Sequence, residues 1–341
     1  MEQDLKDALG NIIIGGFAGT SVPDDFKALL ENKQVGGAIL FTRNIESVEQ
    51  VANLIQELKN IRPDIWMAVD QEGGRVERLK DPFPELPPMR ALNSEEEAQK
   101  AATLLAHGLS WLGFHQDYAP VLDVDTNPDN PIIGDRSFSS EASEVARLGC
   151  AFIKALQSAG IAACGKHFPG HGDTSQDSHL ELPRLNHDLQ RLRDVELVPF
   201  AAAAKAGLAS LMTAHVLFEP LDAEHPATLS EHFIEPILRQ EMNYQGVVVS
   251  DDLEMNAVAD HYGIEDAVVR SLQAGCDQVL ICSDTERQAK AYEALVHAVA
   301  SGTLSKERVL EAGQRIDHMK QRYQTLTGRL QGLAAGFVTG A

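Results

Sequence analysis

Between residues 166 and 179 the chain crowds Lys166, His167, His171, Asp173, Asp177 and His179 into a stretch punctuated by Pro169, Gly170 and Gly172. Ionisable groups are costly to concentrate in a connecting loop, which needs only turn formers and solubility, so this density points to a ligand or a reaction. Asp177 and His179 lie two residues apart, a spacing at which a turn can hold the carboxylate against one ring nitrogen. The carboxylate would fix the tautomer and stabilise the imidazolium, leaving the other nitrogen to give and take a proton near neutral pH. Alone, Asp177 would serve equally well in an Asx-type turn beside a solvated His179. Lys166 and His167 close an apolar run, where a lysine can donate to ligand hydroxyls or to a carboxylate. His171 is read as shaping the loop.

Further acids end other apolar runs. The run 246–251 leads into Asp251, Asp252 and Leu253, and an acid desolvated there without a function would cost stability, which makes Asp251 the candidate nucleophile. Asp252 is read as capping exposed amides before Leu253 and Glu254. Asp70 ends the run 65–70 and is followed by Gly73, Gly74, Arg75, Glu77 and Arg78. Asp70 and Arg78 suit a polyhydroxylated or anionic ligand, whereas Arg75 and Glu77 read as a surface pair. His167, His171, Asp177 and His179 also have zinc-ligand chemistry, so a metal-dependent barrel hydrolase is the alternative reading. The spacing lacks H-E-x-x-H and the early His-x-His pair of such enzymes, so no metal or other cofactor is expected.

These residues must be carried by elements of a definite order. Short apolar runs at 12–18, 36–41, 65–70, 114–124, 161–168, 209–216, 246–251 and 277–283 alternate with amphipathic stretches of helical spacing, such as 48–58 and 98–112. Repeated βα units follow. The expectation is a single (β/α)8 TIM-type barrel, although an open doubly wound sheet permits the same alternation. Asp70, Asp123, Lys166, His215, Asp251 and Asp284 each sit at or just past the end of a run, where barrel enzymes assemble their sites. Residues 1–341 are therefore read as one domain, with the catalytic loop 166–179 at the C-terminal face of the strands. Residues 305–323 read as a polar-faced helix, and 332–341 as a weakly patterned, fraying tail.

Composition narrows the function classes. With 29 basic and 50 acidic residues the chain carries a formal charge of -21, which repels phosphate backbones and anionic lipid surfaces. Nucleic acid and membrane are excluded as expected partners. Apolar residues make up 44%, and no segment approaches the roughly 20 uncharged residues of a membrane span. The acidic start at Glu2, Asp4 and Asp7 does not read as a secretory signal, and Cys150, Cys164, Cys276 and Cys282 lack metal-site spacing. A cytoplasmic monomer with reduced thiols is expected.

The chain resembles glycoside hydrolase family 3, in particular its bacterial β-N-acetylglucosaminidase branch that works in peptidoglycan recycling. The resemblance is carried by the stretch 166–172, by Asp177, Ser178 and His179, by 70–78, by 133–138 and by 250–253. It implies that Asp251 is the catalytic nucleophile, that His179 is the acid/base assisted by Asp177, and that Asp70, Arg78, Arg136, Lys166 and His167 bind the sugar. It also implies a single barrel without a second sandwich domain, acting with retention through a covalent glycosyl-enzyme. The substrate implied is a small muropeptide or disaccharide, GlcNAc-1,6-anhydro-N-acetylmuramic acid with or without its peptide.

Overall fold

The computed structural model describes residues 2–80, 83–178 and 181–338. Eight parallel strands close into a barrel: β1 (Ile13–Gly15), β2 (Gly37–Leu40), β3 (Trp66–Val69), β4 (Gln116–Asp117), β5 (Ala162–Phe168), β6 (Ser210–Thr213), β7 (Val247–Asp252) and β8 (Gln278–Ile281). Neighbours in space are neighbours in sequence, and β8 pairs back onto β1 with Ile13 opposite Val279. Each expected run supplies one strand, so the barrel reading holds and the open sheet does not. The run 114–124 yields only the short β4, because Pro120 has no amide to donate and pairing continues irregularly, with Leu122 N donating to Lys166 O.

Helices return the chain between strands and are set by local chemistry. Ser47 and Ser94 accept hydrogen bonds from Gln50 N and Glu97 N at the starts of Val48–Ile61 and Glu95–Leu112. Each such cap contributes about 1 kcal/mol. A π-helical segment, Ile234–Glu241, fills the β6–β7 connection. A separate parallel pair, Arg184–Leu185 with Leu217–Phe218, lies beside the barrel mouth connections.

The barrel interior is packed solid. Trp66 Nε1 donates to Gln116 Oε1 at 2.6 Å, and Gln116 Nε2 donates to Ser210 Oγ at 2.6 Å, so the polar groups of the central layer satisfy one another. Below them Ile316, Met319 and Tyr323 of the C-terminal helix join the same cluster and stopper the N-terminal end. Buried Asp277 anchors that end, receiving Arg239 at 2.7 Å, Arg308 at 2.7 Å and Arg315 at 3.1 Å. The C-terminal helix spans Lys306–Val338, beyond the expected 305–323. Residues 332–338, expected as a weakly patterned tail, fall within this helix.

Candidate active site

The strands deliver their last residues to one cavity at the C-terminal mouth, lined by Asp70, Glu72, Arg78, Arg136, Lys166, His167, Asp251 and Asp252 among others. Asp70 follows β3, Lys166 and His167 belong to β5, and Asp251 is the penultimate residue of β7. Arg136 comes from a short 3-10 turn, Gly134–Arg136, after β4. Six of the eight sequence-derived candidates therefore meet in a single space. Asp177 is half-buried one residue before Ser178, which lines the cavity. His179 falls outside the described residues.

Charge neutralisation organises the wall. Lys166 Nζ lies 2.7 Å from Asp70 Oδ1 and 2.6 Å from Glu72 Oε1, while Arg136 donates twice to Glu72 at 2.8 and 2.9 Å. Burial opposes the charge on Glu72, but Arg136 and Lys166 outweigh it and hold the carboxyl well below its ordinary range. Burial likewise opposes the Lys166 ammonium, and Asp70 with Glu72 more than restore it, raising its pKa. Arg78 Nη2 stands 3.7 Å from Asp70 Oδ2, with its guanidinium over the Phe41 ring. The result is a fixed set of donors and acceptors suited to hydroxyl groups.

The loop between Glu72 and Arg78 is held by its own residues. Gly73 has φ 99°, and a Cβ there would meet Pro87 O at 2.6 Å, so only glycine turns the chain here. Gln71 Oε1 accepts from Arg78 N and Leu79 N at 2.7 and 3.0 Å, which orients Arg78. The expected Arg75–Glu77 pair does not form. Arg75 pairs with Asp135 at 3.0 Å and Glu77 accepts from Leu86 N at 3.0 Å, because the tight turn sends the two side chains to different loops.

The setting of Asp251 follows from the end of β7. Asp251 Oδ1 accepts from Asp252 N at 2.8 Å, and His215 Nε2 donates to Asp252 O at 2.9 Å, so the strand end is fixed from two sides. Asp252 Oδ1 accepts from Glu254 N and Cys282 N, satisfying amides as expected, though no helix begins there and Asn256–Ala259 starts further on. Burial, with the charges of Glu254 and Asp251, pushes the Asp252 carboxyl up to about 7.

Asp123, fully buried, accepts from His167 N and His171 N and lies 2.7 Å from His167 Nδ1. His171 stands between Thr174 Oγ1 at 2.7 Å and Ser178 Oγ at 3.1 Å, and burial and the nearby His167 push its imidazole down to about 4. Ser178 O also accepts from Ala257 N at 3.3 Å, tying the loop to the segment after β7. At Gly172 a Cβ would lie 1.8 Å from Val124 O, so the loop approaches the β4 extension as only glycine allows. His171 thus shapes the loop, as its flanking glycines suggest. Asp173 turns aside to His187 at 2.8 Å. Sequence reasoning gave no role to Glu72, Ser178 or the Asp123 carboxylate; their position at strand ends and in the crowded loop was the available signal. Among the described residues, no group of three or more His, Cys, Asp or Glu side chains is placed to hold a metal ion.

The profile for the glycosyl hydrolase family 3 N-terminal domain matches residues 8–319, which include every strand of the barrel. The chain belongs to glycosyl hydrolase family 3. A β-hexosaminidase of Pseudomonas aeruginosa is 41% identical over 284 residues, covering 81% of this chain and 84% of that protein. Among solved structures, a family 3 β-N-acetylglucosaminidase from Paenibacillus sp. str. FPU-7 superposes with TM-score 0.91 at 42% identity, over 94% of this chain. This chain spans 63% of that enzyme's length. NagZ from Neisseria gonorrhoeae, in complex with N-trifluoroacetyl-D-glucosamine, superposes with TM-score 0.78 at 32% identity over 95% of this chain and 98% of its own. In this family-3 barrel no helix among the described residues is long and apolar enough to cross a membrane.

Proposed function

We propose that this glycoside hydrolase of the β-N-acetylhexosaminidase type is a retaining exo-enzyme that releases non-reducing terminal GlcNAc from peptidoglycan fragments. The observation that carries the reading is the meeting of Asp251 with the Asp70, Glu72, Lys166, His167 and Arg136 cluster in one mouth cavity. A carboxylate beside fixed hydroxyl-binding groups suits attack on a bound sugar. Asp251 forms a bond to the anomeric carbon as the glycosidic bond breaks, and His179, oriented by Asp177, protonates the departing oxygen. His179 then takes a proton from water, whose oxygen displaces Asp251 and restores the β configuration. Asp70, Arg78, Arg136, Lys166 and His167 hold the sugar through both steps.

The amino-sugar ligand of the Neisseria gonorrhoeae NagZ structure supports GlcNAc as the donor, and the resemblance in residues 166–179 supports GlcNAc-1,6-anhydro-N-acetylmuramic acid as substrate. Residues 1–341 act in this reading as one domain, a cytoplasmic monomer needing no metal. Incubation with a fluorinated N-acetylglucosaminyl donor, followed by peptide mapping, tests it. The expected label is on Asp251; label on Asp252, or none with a competent donor, overturns the covalent mechanism.

A further inference from the structure

His167 and Asp123 form a buried carboxylate–imidazole pair at the end of β5. Asp123 has no exposure to solvent, and among the described residues its two oxygens meet donors from residues 167 and 171: two main-chain amides and the His167 ring at 2.7 Å. Two main-chain amides and a ring nitrogen converge on its oxygens, so it serves as an acceptor. A carboxylate accepts and cannot donate, and the ring nitrogen facing it must carry hydrogen.

We infer that Asp123 is a positioning residue for sugar recognition: it fixes His167 with Nδ1–H turned inward, so that Nε2 offers a lone pair to a hydroxyl of the bound sugar. His167 lines the mouth cavity together with Lys166, Arg136 and Asp251. With Nε2 as the acceptor, the cavity pairs it with the Lys166 ammonium, a donor held in place by Asp70 and Glu72. A hydroxyl, which both donates and accepts, matches that pair, whereas an ether oxygen matches only the lysine. Discrimination of this kind is strong, because a mismatched substrate leaves a buried polar group unpaired. The inference rests on the reading of this cavity as a sugar site.

Two measurements separate the inference from that reading. In the free enzyme, nitrogen NMR of labelled histidine, assigned with His167→Gln, is expected to show His167 protonated at Nδ1 and bare at Nε2 at pH 7. A bare Nδ1 or a doubly protonated ring overturns the inference, whatever the substrate. Asp123→Asn keeps an oxygen for the amides but presents an NH2 group to Nδ1, which forces the proton onto Nε2. KM for a nitrophenyl N-acetylglucosaminide should then rise about tenfold or more with kcat nearly unchanged. In a His167→Ala background the same substitution should leave KM unmoved. Additive effects would show that Asp123 acts through the loop backbone instead. If the native protein cleaves no hexosaminide, the proposed function fails while the tautomer result stands on its own.

Discussion

Lys166 Nζ lies 2.6 Å from Glu72 Oε1, and each residue exposes only 2% of its surface. A buried ion pair of this kind is costly to break from one side, because the remaining charge stays desolvated. Glu72→Gln leaves Lys166 and Arg136 facing each other with Asp70 as the nearest counter-charge. The variant should lose about 3 kcal/mol or more in urea unfolding and bind substrate more weakly. Unchanged unfolding would mean that solvent reaches this wall.

The proton-transfer role proposed for His179 makes its own prediction. His179→Ala should slow natural disaccharides severely, since a sugar alkoxide needs protonation to leave, and slow the first step on a nitrophenyl glycoside much less. Breakdown of the intermediate still lacks its base, so a nitrophenol burst precedes a slow steady state, and azide accelerates that phase. Asp177→Asn should give an intermediate loss. Equal damage to both leaving-group types, without burst or azide rescue, would assign the proton to another group.

His171 links the loop to acid stability. Its folded-state value of about 4 lies below the unfolded value near 6.5, so the folded protein favours the neutral ring. The contribution is fully present above pH 6.5 and fades as pH falls toward 4, by about 3 kcal/mol at most. Thermal melts of the native protein should decline more steeply over that window than those of His171→Gln. Parallel declines would show that the ring is not held neutral.

Chelation decides the alternative chemistry. Dialysis against a strong chelator should leave glycosidase activity intact. Loss of activity restored by zinc would recast His167, His171 and His179 as ligands.

The fold was legible because each strand is a short apolar run ending in a polar residue, as in 246–251 leading to Asp251 and Asp252. Six binding and catalytic candidates meet in the mouth for the same reason: parallel strands send all their C-terminal ends one way. What stayed hidden were the supports. Glu72 finds Arg136 64 residues away, and Asp123 finds His167 44 residues away, and no local pattern marks such pairings. Asp252 read as a cap because its neighbours 253 and 254 look like a helix start. Its raised pKa arises from burial in the closed barrel, a property of packing and not of spacing.

Closure of the barrel joins Ile13 to Val279. During synthesis β1 emerges first and must wait for nearly the whole remaining chain before β8 arrives, at ribosome speeds of roughly 5 to 20 residues per second. For those seconds its outer edge is an unpaired template, and the partly wound sheet has two such edges open to other nascent chains. Closing the Ile13–Val279 seam removes both edges in one step.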